Sequence, residues 1–244
     1  MSPRATGATA LRVLTQLRRD PRTIALLIGV PTVLVVLLHE VFSGREQIFQ
    51  RIGGPLLGLF PFISMFLVSS ITMLRERVSG TLERLMSMPL AKLDLLTGYA
   101  AAFALVATAQ ATVVSLVALG LLDLGVERPV GVVLLAIGNA LLGMSLGLFV
   151  SAFARTEFQA VQFMPALVFP QVLLCGLIVP RDQMAGWLEG VSAVLPLTYA
   201  YDALARTTSA SALGSRFWAD VAVTVGVTLL ALALGAATLR RRTA

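Results

Sequence analysis

Hydrophobic positions run through this chain in long blocks separated by short charged breaks. The blocks cover about 24–42, 55–74, 95–122, 130–153, 158–179 and 217–239. Each is close to the roughly 20 residues that an α-helix needs to cross a hydrocarbon core. Inside a bilayer the backbone N–H and C=O groups must bond within the protein, which leaves helices or a closed barrel. The blocks are too long and continuous for the alternating strands of about 10 residues in a barrel. The pattern predicts an all-α integral membrane protein, one domain over 1–244 with six transmembrane helices. The third block exceeds a single crossing, so its first turns are expected in water or at the interface. Pro31 should kink the first span, and Pro165 and Pro170 the fifth.

Before the first block, Ala10, Leu11, Leu14 and Leu17 share one helical stripe, with Arg12, Thr15, Gln16, Arg18 and Arg19 facing away. This predicts an N-terminal amphipathic helix within 1–22, suited to the headgroup plane and ended by Asp20-Pro21. Between the second and third blocks lies a charged segment, 75–92. It cannot sit in hydrocarbon and must project into water, within reach of a soluble partner.

Composition agrees with a membrane protein. Hydrophobic residues make up 57% and charged residues 13%, against about 25% charged in soluble domains; mean hydropathy is +0.86. The pI near 10.6 does not indicate a nucleic-acid binder, because the basic residues are dispersed over loops and termini. They set orientation instead. Arg4, Arg12, Arg18, Arg19, Arg22, Arg75, Arg77, Arg84, Lys92, Arg155 and the 240–242 tail outnumber Arg45, Arg51, Arg128, Arg181, Arg206 and Arg216 on the opposite side. The richer side, with both termini, is expected to be cytoplasmic. Lys92 is the only lysine among much Ala, Gly and Val, a composition expected of a GC-rich bacterial genome, so the membrane is expected to be the cytoplasmic membrane of a bacterium. The first twenty residues lack the apolar core of a cleavable signal.

Several chemistries are excluded. Cys175 and His39 are the only residues of their types, so no intrachain disulfide and no Cys/His metal cluster forms. Lys92 follows no Gly-rich loop and precedes no Ser or Thr, so ATP is not held by a P-loop. Ionisable groups are absent from mid-span positions, which disfavours an intrinsic proton or ion pump. The spans carry amides instead: Gln110, Asn139, Gln159, Gln162 and Gln171. These either glue helices or touch a transported molecule. Gln110, Asn139, Gln162, Pro165 and Pro170 are candidates for a translocation path. Gly143-x-x-x-Gly147 permits close helix packing.

The 75–92 segment goes beyond a topological loop. Arg75, Glu76, Arg77, Glu83 and Arg84 mix signs, whereas orientation needs positive charge alone. Glu76 and Glu83 are seven apart and share a helical side. Gly80-Thr81 can break and re-cap the helix, with Thr81 as N-cap. The expected product is a short polar helix lying across the span ends.

Arg75-Glu76-Arg77, then Gly80-Thr81-Leu82-Glu83 and Pro89, resembles the first cytoplasmic loop of ABC-2 type transporter permeases. A second resemblance lies in Gly176-x-x-x-Pro180, Trp187-Leu188, Leu195-Pro196-Leu197-Thr198-Tyr199 and Ala203-Leu204-Ala205-Arg206. Arg181-Asp182-Gln183-Met184 resembles the daunorubicin-type drug-exporter branch. The resemblance implies a coupling helix that docks on an ATP-binding subunit through Arg75, Glu76, Arg77, Gly80, Thr81, Leu82, Glu83 and Arg84, joined by Arg155 and Glu157. It also implies short external, partly re-entrant helices between spans 5 and 6, over 180–216, with Gly176, Pro180, Trp187, Pro196 and Tyr199 as landmarks. Two ATP-binding subunits and a second permease copy, or a homologous permease, complete the implied assembly. ATP and Mg sit on the partner, and this chain holds no cofactor. An uncharged lining suits an amphiphilic drug, lipid or glycolipid. Polysaccharide or teichoic-acid, heme and ion exporters share the architecture. A membrane-embedded lipid-modifying enzyme or a passive scaffold are the readings from other classes.

Overall fold

The computed structural model describes residues 2–87, 92–209 and 213–238, apart from the side chains of Glu83, Met86, Lys92 and Leu93. The basic tail at 240–242 lies outside the described residues. Among the described residues there are helices and turns and no strand. Five helices among them are long and apolar enough to cross a membrane: α2 (Pro21–Val41), α3 (Glu46–Val78), α5 (Lys92–Gly120), α6 (Pro129–Val150) and α11 (Ser215–Ala237).

The core is built on α3 and α6. α3 has 33 residues, roughly 50 Å at the usual rise, so it overshoots the hydrocarbon at both ends. α6 lies against it through Gly143 and Gly147. A Cβ on Gly143 would sit 2.1 Å from the Phe62 carbonyl oxygen, and one on Gly147 would sit 2.4 Å from that of Phe66. Only hydrogen fits between these backbones. Ser69 Oγ then donates across the seam to the Met144 carbonyl (3.0 Å). Small residues of this kind let helices approach where lipid supplies no hydrophobic drive. α5 closes the other side with a column of Ala102, Phe103, Ala107, Ala111 and Val114, all fully buried. By contrast α2 buries only Leu27, Pro31 and Val35, and turns Leu26, Val30, Val33 and Leu37 outward.

Two expectations change. The predicted fifth span, 158–179, is a broken run: α7 (Glu157–Phe163), a π-helical stretch (Met164–Val168) and α8 (Phe169–Leu174). Pro165 and Pro170 have no N–H to return to the preceding turn, and the ladder shifts register between them. The run ends five residues early because Gly176 adopts φ +103. It is therefore not among the five uninterrupted span-length helices.

α1 (Pro3–Arg18) exists as expected, but its stripe is rotated. Thr9, Val13 and Leu17 are the buried positions, Ala10 and Leu14 pack beside them, and Leu11 is 67% exposed. The buried face lies along the start of α5. Ser2 N–H donates to Asp94 (3.0 Å), and Thr9 crosses so near Gly98 that a Cβ there would meet it at 2.5 Å.

Gly143→Leu should force α3 and α6 apart. Overpacking costs about 1–3 kcal/mol, and here the obstacle is rigid backbone. A fall in thermal stability in detergent is expected, whereas Gly138→Leu, where a Cβ meets open space, should melt like the parent.

Candidate functional site

α3 stops at Val78, and α4 (Thr81–Ser87) starts after one sharp turn. Gly80 makes that turn at φ +71 with open space around its Cα. Glycine is needed there for backbone conformation, not for packing. The Arg84 N–H donates to the Gly80 carbonyl (3.1 Å), so Gly80 takes the N-cap place expected of Thr81. Thr81 opens the helix and its hydroxyl meets that of Ser79 (2.9 Å). Leu82 is also reassigned. It is 4% exposed and belongs to the main core, so it pins α4 to the bundle. The outward surface of this turn is Val78, 68% exposed, with Ser79 and Arg84. The side chain of Glu83 lies outside the described residues.

Glu76 does not reach outward as expected. It is 6% exposed and accepts from Arg12 Nη1 at 3.1 and 3.4 Å. Arg12 Nη2 donates to the Tyr99 hydroxyl, and the guanidinium lies 5.5 Å from the Tyr99 ring centroid. A lone buried carboxylate is costly, so the side chain turns to the one cation that α1 brings within reach. One node thus joins α1, the end of α3 and α5. Beside it a cleft of about 310 Å³ opens among Val13, Gln16, Asp20, Thr72, Arg75 and Ser79.

Arg75 and Glu157 come together from the two predicted coupling segments. Nε and Nη2 donate to the two carboxylate oxygens at 2.8 and 2.9 Å. This fork holds the Glu157 carboxyl below its ordinary value. Both side chains are more than half exposed, so the pair positions the start of α7 more than it stabilises the fold. α7 has its own cap: Thr156 Oγ1 accepts from the Gln159 N–H (3.2 Å), and Gln159 Oε1 accepts from the Arg155 N–H (2.8 Å). The Arg155 side chain stays exposed. Arg77 points to the far end of α11 and donates to Thr238 (3.3 Å), away from the turn.

The candidate path residues separate into two groups. Gln110 is fully buried, and its amide donates to the Leu27 carbonyl (2.8 Å) and to Ser64. That carbonyl would normally serve the N–H of residue 31, which proline lacks. Gln110 therefore repairs the kink in α2. Asn139 is 2% exposed and faces Gly58 of α3. Both are interior to the bundle. Gln162, Pro165 and Pro170 are exposed on the broken run, where Phe153, Arg155, Gln159, Gln162, Phe163 and Pro165 line an open hollow of about 790 Å³.

At the other end, Pro180 leads a short 3₁₀ turn (Arg181–Gln183), then α9 (Gly186–Ser192) and α10 (Pro196–Thr208). Gly54 and Gly58 of α3 admit Thr208 and Leu204 of α10, and a Cβ at either would clash below 2.4 Å. Gly176 sits under the Tyr201 ring. Tyr199 OH donates to the Ala193 carbonyl (2.6 Å); Trp187 is 72% exposed. Gln171 Oε1 accepts the Leu197 N–H (3.3 Å). Two ion pairs tie the segment down: Arg181–Asp202 at 3.4 Å and Arg206–Asp220 at 3.6 Å. Sequence reading missed these pairs, along with Arg12, Tyr99 and Val78. Arginines scattered over loops gave no sign of which acid each would meet.

Residues 4–207 match the family described as ABC-2 type transporter. The chain belongs to the ABC-2 type transporter family. The family's region takes in α1 through nearly all of α10, so both the Gly80 turn and the outer segment fall inside it. With its five apolar helices, this ABC-2 chain is a multi-pass membrane protein. It is 29% identical over 150 residues to the "Probable multidrug ABC transporter permease YbhR" of Escherichia coli strains K12 and O157:H7, covering 60% of this chain and 40% of the relative. It is 28% identical over 147 residues to "ABC transporter G family member 20" of Dictyostelium discoideum, covering 60% of this chain and 20% of that one. The ABC-2 chain thus matches less than half the length of these relatives.

Removing one member of the Arg12–Glu76 pair should cost more than removing both. Arg12→Ala leaves a buried carboxylate unpaired, with an expected loss of about 3 kcal/mol, while Arg12→Met with Glu76→Leu should recover most of it. Thermal melts of the single and double variants measure the coupling.

Asp202 gives a pH dependence. Burial raises its carboxyl above the ordinary value, and Arg181, Arg206 and Arg216 pull it back only in part. The folded segment therefore favours the protonated form. Its stabilisation is present at low pH and is lost as pH rises through the raised value. The protection of α10 against hydrogen exchange, corrected for the base-catalysed intrinsic rate, should fall as pH rises above about 4, and Asp202→Asn should flatten that profile.

Proposed function

We propose that this chain is the transmembrane, non-catalytic subunit of an ATP-driven ABC exporter. The observation that carries this reading is the Gly80 turn. It is held rigidly from within by Leu82 and the Arg12–Glu76–Tyr99 node, yet it presents an exposed Val78 and Arg84. An apolar side chain beside a cation on a fixed turn is what a soluble partner can grip. Arg75–Glu157 ties the same turn to the start of the broken run, so a push on α4 reaches the proline-shifted helix. ATP and Mg belong to two ATP-binding subunits, and a second permease copy or a homologous permease completes the path.

In this reading the broken run is the sixth crossing. Its 18 residues, 157–174, reach roughly 27 Å. Both termini and the Gly80 turn are then cytoplasmic in a bacterial cytoplasmic membrane, and the 180–216 segment is external. The hollow beside Gln162 and Pro165 offers two amides, an arginine and aromatic edges, a lining suited to an amphiphilic drug, lipid or glycolipid. The description of the Escherichia coli relative as a probable multidrug permease supports that class.

The test is co-purification with the ATP-binding subunit, alongside transport. Val78→Asp and Arg84→Glu should each weaken association at least about tenfold, near 1.4 kcal/mol, and Gly80→Val should do so through backbone strain of about 1–2 kcal/mol. In a Cys175→Ala background, single cysteines at Ser79 and Gly190 should label from opposite sides in every variant, which certifies insertion. Labelling of both from one side, or full association and transport in all three variants, overturns the reading.

A further inference from the structure

Five arginines fall in the first 22 residues, and Asp20 is the only acid before Glu40. The structure assigns them unequal roles. Arg12 is taken by Glu76. Arg4, Arg18 and Arg19 have no ion pair among the described residues, and all three are exposed. Arg22 is exposed too, beside Asp20, whose carboxylate is occupied by the Thr23 N–H and hydroxyl. On α1 the buried face is Thr9, Val13 and Leu17. The opposite, exposed face is Arg4, Leu11, Thr15 and Arg18, spaced so that they fall on one helical side.

The position of this face fixes what it meets. α1 ends at Arg18 and α2 begins at Pro21. α2 is the least buried of the span-length helices, and its Leu26, Val30, Val33 and Leu37 face outward. That surface requires lipid, so α1 is held at the level where α2 enters the bilayer. A helix there, with an exposed leucine between cations, with Asp20 taken up by Thr23 and Asp94 by the Ser2 N–H, complements a layer of phosphodiesters.

We propose that the exposed face of α1 is a binding surface for anionic phospholipid headgroups of the adjacent leaflet. Arg4, Arg18 and Arg19 hold the phosphates, and Leu11 dips among the acyl chains. The flank of the same helix carries the half-buried Arg12, which grips the end of α3 at Glu76. Bound lipid therefore steadies the Gly80 turn through one rigid helix. The proposal goes beyond the exporter reading.

The experiment uses the full chain in nanodiscs of phosphatidylcholine alone and with phosphatidylglycerol mixed in. Hydrogen exchange over residues 2–19 and native mass spectrometry of retained lipid are the readouts. Exchange in α1 should slow several-fold with phosphatidylglycerol, and inorganic phosphate added to phosphatidylcholine discs should not reproduce the effect. In the triple variant R4Q/R18Q/R19Q, retention of phosphatidylglycerol should fall by roughly fivefold per arginine, with the melting temperature unchanged because all three side chains are exposed. Glu76→Gln should keep the lipid and yet loosen residues 75–87. Equal α1 exchange in both lipids, or unchanged lipid retention in the triple variant, overturns the proposal. So does full protection of α1 in phosphatidylcholine by an added ATP-binding subunit, which would give the surface to a soluble protein.

Discussion

Backbone contact between α3 and α6 is the constraint on which the rest of the molecule depends. Gly143 and Gly147 bring α6 against the carbonyls of Phe62 and Phe66, and Ser69 fastens the seam. Lipid rewards no burial of leucine against leucine, so two helices stay together here through dispersion and a few polar bonds. The other elements take their places from this pair. Gly54 and Gly58 on the same α3 receive α10 at one end. The other end of α3 carries Arg75 and Glu76 and leads into the Gly80 turn.

Polar groups inside the bundle follow from the prolines. Each proline in a span removes a donor and leaves a carbonyl to be satisfied within the protein. At Pro31 the answer is the amide of Gln110, reaching from α5 to the Leu27 carbonyl. At Pro165 and Pro170 the helix changes pitch, and the Gln171 amide bonds within the run itself, to the Leu167 carbonyl (2.9 Å). The carbonyl freed at Pro31 is thus satisfied inside the bundle, while Pro165 and Pro170 lie exposed on the broken run.

Charge is sorted the same way. Arg12–Glu76 is inward and structural, and Arg75–Glu157 is outward and positional. Arg181–Asp202 and Arg206–Asp220 lock the opposite end. The Gly80 turn is thus packed from beneath by Leu82 and the Arg12–Glu76 pair and open above at Val78, Ser79 and Arg84. Of the residues marked from the motif, Glu76 and Leu82 belong to the stiff side, and Arg84 to the open one.

The sequence by itself determined the all-helical class, the places of the long apolar helices, the break at Gly80, the prolines that disturb the 158–179 block and the close-packing role of Gly143 and Gly147. Each is a local matter: block length, a missing N–H, a missing Cβ. It also singled out 75–92 as a charged break between two apolar blocks. Only the tertiary structure decided which side each residue of that site faces. Glu76 and Arg12 are 64 positions apart, and Arg75 and Glu157 are 82. No periodicity connects residues at such separations. Their pairing depends on how α1 and α7 are laid against α3, and helix packing in a bilayer is set by small residues and shape, not by the hydrophobic pattern. The same cause rotated the buried stripe of α1 toward Thr9 and Val13. Its neighbour α5 offers Gly98 as a groove, and the face that fits a groove need not be the most apolar one.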